Sequence, residues 1–329
     1  MRLHVKRIGA VVIAVGLVLG AVVIRDRIEG DDAGPAPSTR GVRLVCATQL
    51  AEVCAGLRSD DLEVVVEPAG RTADALAEVA EGDDPGLDLW LVDAAWPAVV
   101  EDNRRYADLG GEVLGGTSEV LARSPVVLMV SPGLVPVLEQ RCGEVDWTCV
   151  GDTATRQQAV GIASPDRGGL PVLASAVAGR LGTTDYAVGD FEDPDFSAWF
   201  DRIATSGTRD LGRQTPLERG VAAPGYFAVV GTLEHEVVSL PRSRRRYEPI
   251  YPEPVVTSDI VLAAVDGTAE AGLDRLGGAE RVRSLLAGAG WRVEGQPLPD
   301  GADADLALPE RSNLPAAGVL QRLRELWGA

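Results

Sequence analysis

Residues 159–181 show a hydrophobic pattern that changes from a strand period to a helix period. The apolar run at 159–163 predicts a buried strand, and apolar residues at three- and four-residue steps over 170–181 predict an amphipathic helix. The loop between them carries Gly168 and Gly169, which permit the backbone angles of a tight turn. The free N–H groups of such a helix start can bond an anion or a polar ligand. An ordinary β–α connection without a ligand is the alternative.

The same unit recurs earlier in the chain. Mostly apolar, strand-like segments at 42–46, 62–66 and 88–92 are each followed by a polar loop and a helical pattern. Three such units in succession predict an α/β fold with a parallel sheet and right-handed crossovers. Further strands are predicted at 125–130, 226–230 and 255–265, and a last helix at 317–327.

The N-terminal 27 residues have a different pattern. Residues 8–24 are a run of 17 residues without a charge, preceded by Arg2, Lys6 and Arg7. This length suits a short membrane span or the core of a signal peptide. We favour an uncleaved single-pass anchor over residues 1–27, with the body outside the cell membrane. Residues 28–40, rich in Gly, Pro, Asp and Ser, are predicted to be a linker.

Length and charge narrow the class of protein. A chain of 329 residues is long enough for two domains or one bilobal body. It carries 31 basic and 49 acidic residues, for a net charge of −18. Nucleic-acid binding needs clustered Lys and Arg, so nucleic acid is excluded as a general partner.

The four cysteines form two close pairs in the sequence, Cys46 with Cys54 and Cys142 with Cys149. Local pairing would close two short loops, and an oxidising compartment would make both pairs disulfides. Four buried thiols are the alternative. A metal site is disfavoured because no histidine lies near either pair.

Groupings of catalytic residues are scarce. The histidines are His4, in the predicted anchor, and His235. The chain has neither a G-x-S-x-G elbow nor a G-x-x-x-x-G-K-[ST] loop. The sequence therefore predicts no enzyme, no metal and no cofactor.

The predicted helix starts supply recognition chemistry instead. In open α/β sheets, ligands bind at the carboxyl ends of the strands, where these helices begin. The residues there offer hydroxyl, amide, guanidinium and backbone donors. The candidate ligand-binding residues are Thr48, Gln49, Gly70, Arg71, Thr72, Ala95, Trp96, Asp166, Arg167, Gly168 and Gly169.

The order of these segments resembles the type II periplasmic solute-binding proteins of ABC importers, especially the molybdate and sulfate-like branch. The resemblance covers residues 41–293 and adds Tyr226 as a candidate ligand-binding residue. One departure is the first loop, Ala47-Thr48-Gln49, where the family is often richer in serine, so an oxyanion specificity does not carry over directly. The matching segments are 44–48, 67–72, 86–92, 125–132 and Gly225-Tyr226.

This resemblance implies two α/β lobes that are joined by two crossing strands and hold a ligand in the cleft between them. The implied division is lobe 1 over 41–124, a crossing strand and lobe 2 over 125–254, a return strand and the rest of lobe 1 over 255–296, and a C-terminal extension with a helix over 297–329. It implies a membrane-anchored extracytoplasmic protein that binds a small polar or anionic ligand and works with an ABC permease.

The end of the chain, residues 308–327, is similar to actinobacterial solute-binding-like proteins in which a von Willebrand factor A domain follows. This similarity implies an alternative function. The chain would then be an interaction or scaffold module that works with a membrane or von Willebrand factor A partner and transports no ligand.

The two loop arginines give the sharpest expectation about the cleft. Arg71 and Arg167 each lie in a strand-to-helix loop, one in each implied lobe. If these loops face each other, both arginines would bind a negatively charged group. Trp96 or Tyr226 would then form an apolar wall. The alternative is that both arginines point outward and pair with the abundant Asp and Glu.

Overall fold

The computed structural model describes residues 41–207, 214–245, 247–265 and 267–328. The predicted anchor and linker, residues 1–40, lie outside this part of the chain. Within it, the helices are all too short or too polar to cross a bilayer.

The first lobe is built on parallel strands, as the hydrophobic pattern predicts. Strands β1 (Val42–Ala47), β2 (Leu62–Glu67) and β3 (Leu89–Asp93) lie in the order β2-β1-β3 and run parallel. Every residue of β3 is buried, which is typical of a strand covered on both faces. The helices that follow these strands are α1 (Ala51–Leu57), α2 (Ala69–Glu78) and α3 (Ala95–Tyr106).

Two long strands connect the lobes. Strand β9 (Thr257–Ala264) is antiparallel to β3 on one side and to the first residues of β5 (Ala122–Val130) on the other. The remaining residues of β5 pair with β7 (Val229–Leu233) of the second lobe. A short strand, β4 (Gly116–Thr117), also pairs with β9. Because β5 belongs to both lobes, one sheet runs through the whole body.

The second lobe completes this sheet. Strand β6 (Val160–Ile162) is parallel to β7, and β8 (Glu248–Ile250) is antiparallel to β5. The main strand order is therefore β2-β1-β3-β9-β5-β7-β6. Around these strands lie α4 (Val135–Cys142), α5 (Trp147–Thr153), α6 (Leu170–Leu181), α7 (Pro194–Ser206), α8 (Pro216–Ala222) and α9 (Glu234–Ser239).

Two strand predictions differ from the structure by three residues at an end. The strand predicted to begin at 125 begins at Ala122, because residues 122–125 pair with β9 where the chain crosses between lobes. The strand predicted over 226–230 is β7, which begins at Val229. The Tyr226 N–H bonds to the carbonyl of Ala223, so Tyr226 belongs to the preceding turn.

Both predicted disulfides are present. Cys46–Cys54 joins the end of β1 to α1, and Cys142–Cys149 joins α4 to α5. Each closes a short loop, with sequence separations of 8 and 7 residues.

After β9 the chain returns to the first lobe. Helix α10 (Ala269–Arg275) packs against β9, and α11 (Ala279–Gly288) packs against α1. The chain then runs past the crossing strands, where it is held by side-chain hydrogen bonds. Arg123 of β5 donates to the carbonyls of Pro309 and Glu310 at 2.8 and 3.0 Å, and Asn313 donates to the Val255 carbonyl at 2.6 Å.

The last helix, α12 (Ala317–Gly328), contacts both lobes. It packs against α3 of the first lobe and α6 of the second. Its buried face carries Leu320, Leu323 and Trp327, and the Trp327 ring lies edge-on to Phe200 of α7. We call residues 300–328 the C-terminal strap.

Candidate functional site

A cavity of about 290 Å³ lies between the two lobes. Its first-lobe wall comes from the end of β1 and the start of α1, and its second-lobe wall comes from α8 and α9. Two other cavities, of about 480 and 350 Å³, each lie within a single lobe. We call the first one the interlobe cavity. Its volume is at the small end of the range for ligand pockets.

The first-lobe wall is fixed where β1 ends. Thr48 and Gln49 form a single helical turn between β1 and α1, and both residues line the interlobe cavity. The Cys46–Cys54 disulfide spans this turn. The position of both polar side chains is therefore set by covalent structure on either side of them.

The second-lobe wall is fixed by α9, which begins directly after β7. The His235 N–H donates to the Ser124 Oγ of β5 at 3.0 Å. The His235 ring stacks on Trp291, with 4.0 Å between ring centroids and 16° between planes. Trp291 follows α11 of the first lobe, so this stack joins chain segments from both lobes at the cavity wall.

Several polar atoms of the wall residues are buried without a hydrogen-bond partner. They are the Thr48 Oγ1, both amide atoms of Gln49, the His235 Nδ1 and the Trp291 Nε1. Most buried polar groups in proteins are hydrogen-bonded, and an unpaired one costs about 1–3 kcal/mol. These unpaired atoms all belong to residues that line the interlobe cavity.

Carboxylates dominate the charge of the interlobe cavity. Glu52, Glu218 and Glu236 line it, and none of the described lining residues is Lys or Arg. Burial raises the pKa of Glu236 to about 6, against the lowering effect of a 2.7 Å hydrogen bond from Thr232, and the charge of Glu218 raises it further. Glu218 and Glu236 thus lie close enough to repel each other, and the described lining residues include no Lys or Arg that would neutralise them.

His235 adds no positive charge. Burial lowers its pKa to about 3, so the imidazole is neutral at physiological pH. A neutral imidazole has one donor and one acceptor nitrogen. Its role in this wall is therefore hydrogen bonding.

A second contact between the lobes lies outside the cavity, at the start of α2. The Arg324 Nε of the strap donates to the Asp166 Oδ1 of the second lobe at 2.6 Å. The Arg324 terminal nitrogens donate to both carboxylate oxygens of Asp74 in the first lobe, each at 2.6 Å. The guanidinium also lies 5.5 Å from the centre of the Trp96 ring. One arginine therefore ties three parts of the chain together.

Gly70 is required at this contact. A Cβ atom at Gly70 would lie 2.1 Å from the Asp166 Oδ1, far inside any real contact distance. The Asp166 carboxylate thus lies against the first turn of α2, where the sequence predicts a ligand anion. The Asp166 carboxylate of the chain itself therefore lies at the position where we expected the ligand anion.

Six of the predicted ligand-binding residues fall into two groups. Thr48 and Gln49 line the interlobe cavity. Gly168 approaches them, because a Cβ atom there would lie 3.2 Å from the Gln49 Oε1, and its φ of +98° favours glycine. Gly70, Asp166 and Trp96 meet at Arg324 instead, and so belong to the contact with the strap.

The two arginines predicted to bind the ligand are not at the cavity. The Arg71 side chain is 78 % exposed and lies 3.8 Å from Glu67, which also accepts a hydrogen bond from Thr72. Arg167 lies on the exposed side of its loop. The two loops do meet, but through Gly70 and Asp166. Arg71 therefore forms an exposed surface ion pair, of the kind that contributes little energy.

The remaining predicted residues have structural contacts away from the cavity. The Ala95 N–H donates to Asp93 at 2.8 Å. Gly169 fits closely against the Ala163 carbonyl, which leaves no room for a Cβ atom. The Arg219 guanidinium lies 4.6 Å from the centre of the Tyr226 ring. Neither Trp96 nor Tyr226 forms the predicted apolar wall of this cavity.

Sequence reasoning missed Glu236, Trp291 and Arg324. Nothing in the local pattern around Glu236 or Trp291 marks them, because they reach the cavity through the crossing topology. Arg324 did leave a signal. It falls between Leu320, Leu323 and Trp327 on the buried face of α12, where a charged residue needs a partner.

Comparisons with known proteins agree with this architecture. Neither the family models nor the curated proteins that were searched contain a match. Among solved structures, the chain resembles the periplasmic binding protein AfuA from Actinobacillus pleuropneumoniae with fructose-6-phosphate bound, at a TM-score of 0.57 and 11% identity over 87% of this chain and 97% of that one. It also resembles the Trichodesmium protein IdiA (FutA) in complex with iron and citrate, at a TM-score of 0.55 and 10% identity over 88% and 97%.

The fold is that of the periplasmic binding proteins. Apo FutA2 from Synechocystis PCC6803 matches as well, at a TM-score of 0.52 and 13% identity over 88% of this chain and 98% of that one. The two-lobed α/β architecture expected from the sequence is thereby confirmed. Of these solved structures, that of AfuA is named as a periplasmic binding protein.

Proposed function

We propose that this protein is an extracytoplasmic solute-binding protein that encloses a small polar solute in the interlobe cavity. The observation that carries the proposal is the cavity itself, whose walls come from both lobes and contain buried polar atoms without partners. Two-lobed binding proteins close around a ligand, so that residues from both lobes contact it in the closed state. The ligands named for AfuA and IdiA, a sugar phosphate and iron with citrate, support binding of a small solute.

The proposed location of the protein rests on the N-terminal segment and the disulfides. Residues 1–27 would hold the body at the outer side of the cell membrane, and the two disulfides suit that oxidising side. An ABC permease is the proposed partner. A relationship to the molybdate and sulfate-like branch stays a prediction.

Thermal unfolding of the purified body against a panel of small solutes tests the proposal. A solute that binds the folded state well above its dissociation constant raises the midpoint. The matched variants are Ala51→Trp, which fills the cavity from α1, and Ala55→Trp, which places the same side chain on the exposed side of that helix. The shift should persist in Ala55→Trp and vanish in Ala51→Trp. A panel without any shift would refute the proposal.

The C-terminal strap favours one alternative to solute binding. Because α12 binds both lobes, the body also suits an interaction module that keeps its lobes together without a solute. A von Willebrand factor A protein encoded beside this chain would be its partner. Tight binding of that protein to the purified body, together with unchanged midpoints across the solute panel, would establish this function instead.

A further inference from the structure

We propose that the interlobe cavity selects a small organic cation, an ammonium or guanidinium compound; the inference rests on the solute-binding function proposed above. Glu52 approaches the cavity from the first lobe, and Glu218 and Glu236 approach it from the second. A cation held between them attracts carboxylates of both lobes at once. An anion would meet repulsion from both.

The charge on the cavity wall is not balanced by nearby arginines. Arg292, the arginine next to Trp291, is committed to Glu234 through hydrogen bonds of 2.6 and 2.7 Å. Arg324 is committed to Asp74 and Asp166. The three carboxylates therefore have no cationic partner among the described lining residues; within the described part of the chain, Glu218 and Glu236 accept hydrogen bonds only from Thr215 and Thr232.

The spread of the carboxylates favours an organic cation over a metal ion. In the described part of the chain, no three Asp, Glu, His or Cys side chains come together as metal ligands. A metal ion needs its oxygen ligands within about 2.0–2.6 Å, so separated carboxylates cannot share one. An extended cation with several N–H groups can reach more than one of them.

The uncharged groups of the wall complete the site for such a ligand. Gln49 contributes an unpartnered carbonyl oxygen, and Thr48 a hydroxyl oxygen. His235 is only 5 % exposed, has an unpartnered Nδ1 and lines the cavity. All three can accept hydrogen bonds from N–H donors. These buried acceptors belong to residues that line the same cavity as the carboxylates.

Isothermal titration calorimetry of the whole body tests the proposal with named probes. The cationic probes are 1,4-diaminobutane, ethanolamine, choline and agmatine, and the comparison probes are succinate, sulfate and ribose. At least one cationic probe should bind, and succinate and sulfate should not. Glu236→Gln keeps the shape of the side chain and should weaken binding at least about tenfold, the size expected for a charge-assisted hydrogen bond. Glu192→Gln, at an exposed site away from the cavity, should leave binding unchanged.

The outcomes separate the two proposals. Binding of succinate, sulfate or ribose alone, abolished by Ala51→Trp, would overturn the cationic class and leave the solute-binding function standing. Binding of a cationic probe that Glu236→Gln and Glu52→Gln leave unchanged would also overturn the class, because it would occur without these carboxylates. No binding of any probe would count against both proposals.

Discussion

Arg324 and Asp166 are joined by a 2.6 Å hydrogen bond between Nε and Oδ1, although 158 positions separate them in the chain. The same guanidinium makes two further bonds to Asp74, so the C-terminal helix α12 is bonded to both lobes. These carboxylates raise the pKa of Arg324 above its ordinary value, with the Asp74 hydrogen bonds as the largest cause. A single side chain therefore holds α12, α2 and the second-lobe loop in one arrangement.

Removing this side chain should destabilise the body. Arg324→Ala leaves Asp74 and Asp166 without their shared partner, and the Arg324 side chain is only 15 % exposed. We expect a loss of about 1–3 kcal/mol in the free energy of unfolding, because the bonds are charge-assisted but both aspartates are partly exposed to solvent. Urea unfolding followed by tryptophan fluorescence measures it.

Arg322→Ala is the control for that experiment. Arg322 lies on the same helix and pairs only with Glu325 at an exposed site. Exposed pairs contribute about 0–1 kcal/mol. Equal losses in the two variants would show that Arg324 acts only through helix stability and not as a link between lobes.

Gly70→Ala should disturb the same contact from the other side. The added Cβ would collide with the Asp166 carboxylate, so the second-lobe loop must move away from α2. We expect a loss of about 1–3 kcal/mol, as for overpacking. Gly288→Ala, in helix α11 with open space around it, should instead be neutral or slightly stabilising, since alanine favours helix. Urea unfolding of both variants decides, and a neutral Gly70→Ala would contradict the close contact.

Asp93 should make stability depend on pH. It is buried at the end of β3, and burial raises its pKa from 3.8 to about 7 despite hydrogen bonds from the Ser258 hydroxyl and the Ala95 N–H. Between about pH 4 and 7, the folded protein holds a proton that the unfolded chain has released. Its stabilising effect is therefore present at low pH and lost as pH rises through about 7.

Asp93→Asn isolates this effect. Asparagine resembles the protonated acid and does not titrate. The difference in unfolding free energy between the natural protein and Asp93→Asn should shift against the natural protein by up to about 4 kcal/mol from pH 4 to pH 7.5. Urea unfolding across this range measures it. A difference that stays constant with pH would mean that Asp93 is ionised throughout.

The disulfides should differ in functional importance. Each closes a short loop and should contribute about 2–3 kcal/mol to stability. Cys46–Cys54 also fixes the turn that carries Thr48 and Gln49, so the Cys46→Ser, Cys54→Ser double variant should weaken solute binding as well. The Cys142→Ser, Cys149→Ser variant should lose stability alone. Calorimetry with a bound probe separates the two cases, and equal affinities would contradict the role of the first disulfide.

The hydrophobic pattern predicted the individual strands and helices whose apolar residues repeat regularly along the sequence. The strand–loop–helix units of the first lobe and the helix over 170–181 were visible because their apolar residues repeat at strand and helix periods. The disulfides were predictable because their cysteines are neighbours in the sequence.

The candidate site was only partly predictable. Thr48 and Gln49 follow a predicted strand, and they do line the cavity. Glu236 and Trp291 lie far apart in the sequence and reach the same wall only because β5 and β9 cross between lobes. Arg71 lies away from the cavity, and the sequence does not indicate this either. A surface carboxylate four residues away competes for it, and a single sequence does not show which partner an arginine takes.

The C-terminal strap changes how the lobes can move. The neighbouring strands β5 and β9 connect the lobes, so we expect the lobes to rotate relative to each other about these strands. Helix α12 restrains this rotation, because it contacts helix α3 of the first lobe and helix α6 of the second. We therefore expect the release of α12 from the lobes to limit the rate of solute exchange. The residence time of a bound solute should be long in the natural protein and short in Arg324→Ala, although the residues that line the cavity are the same.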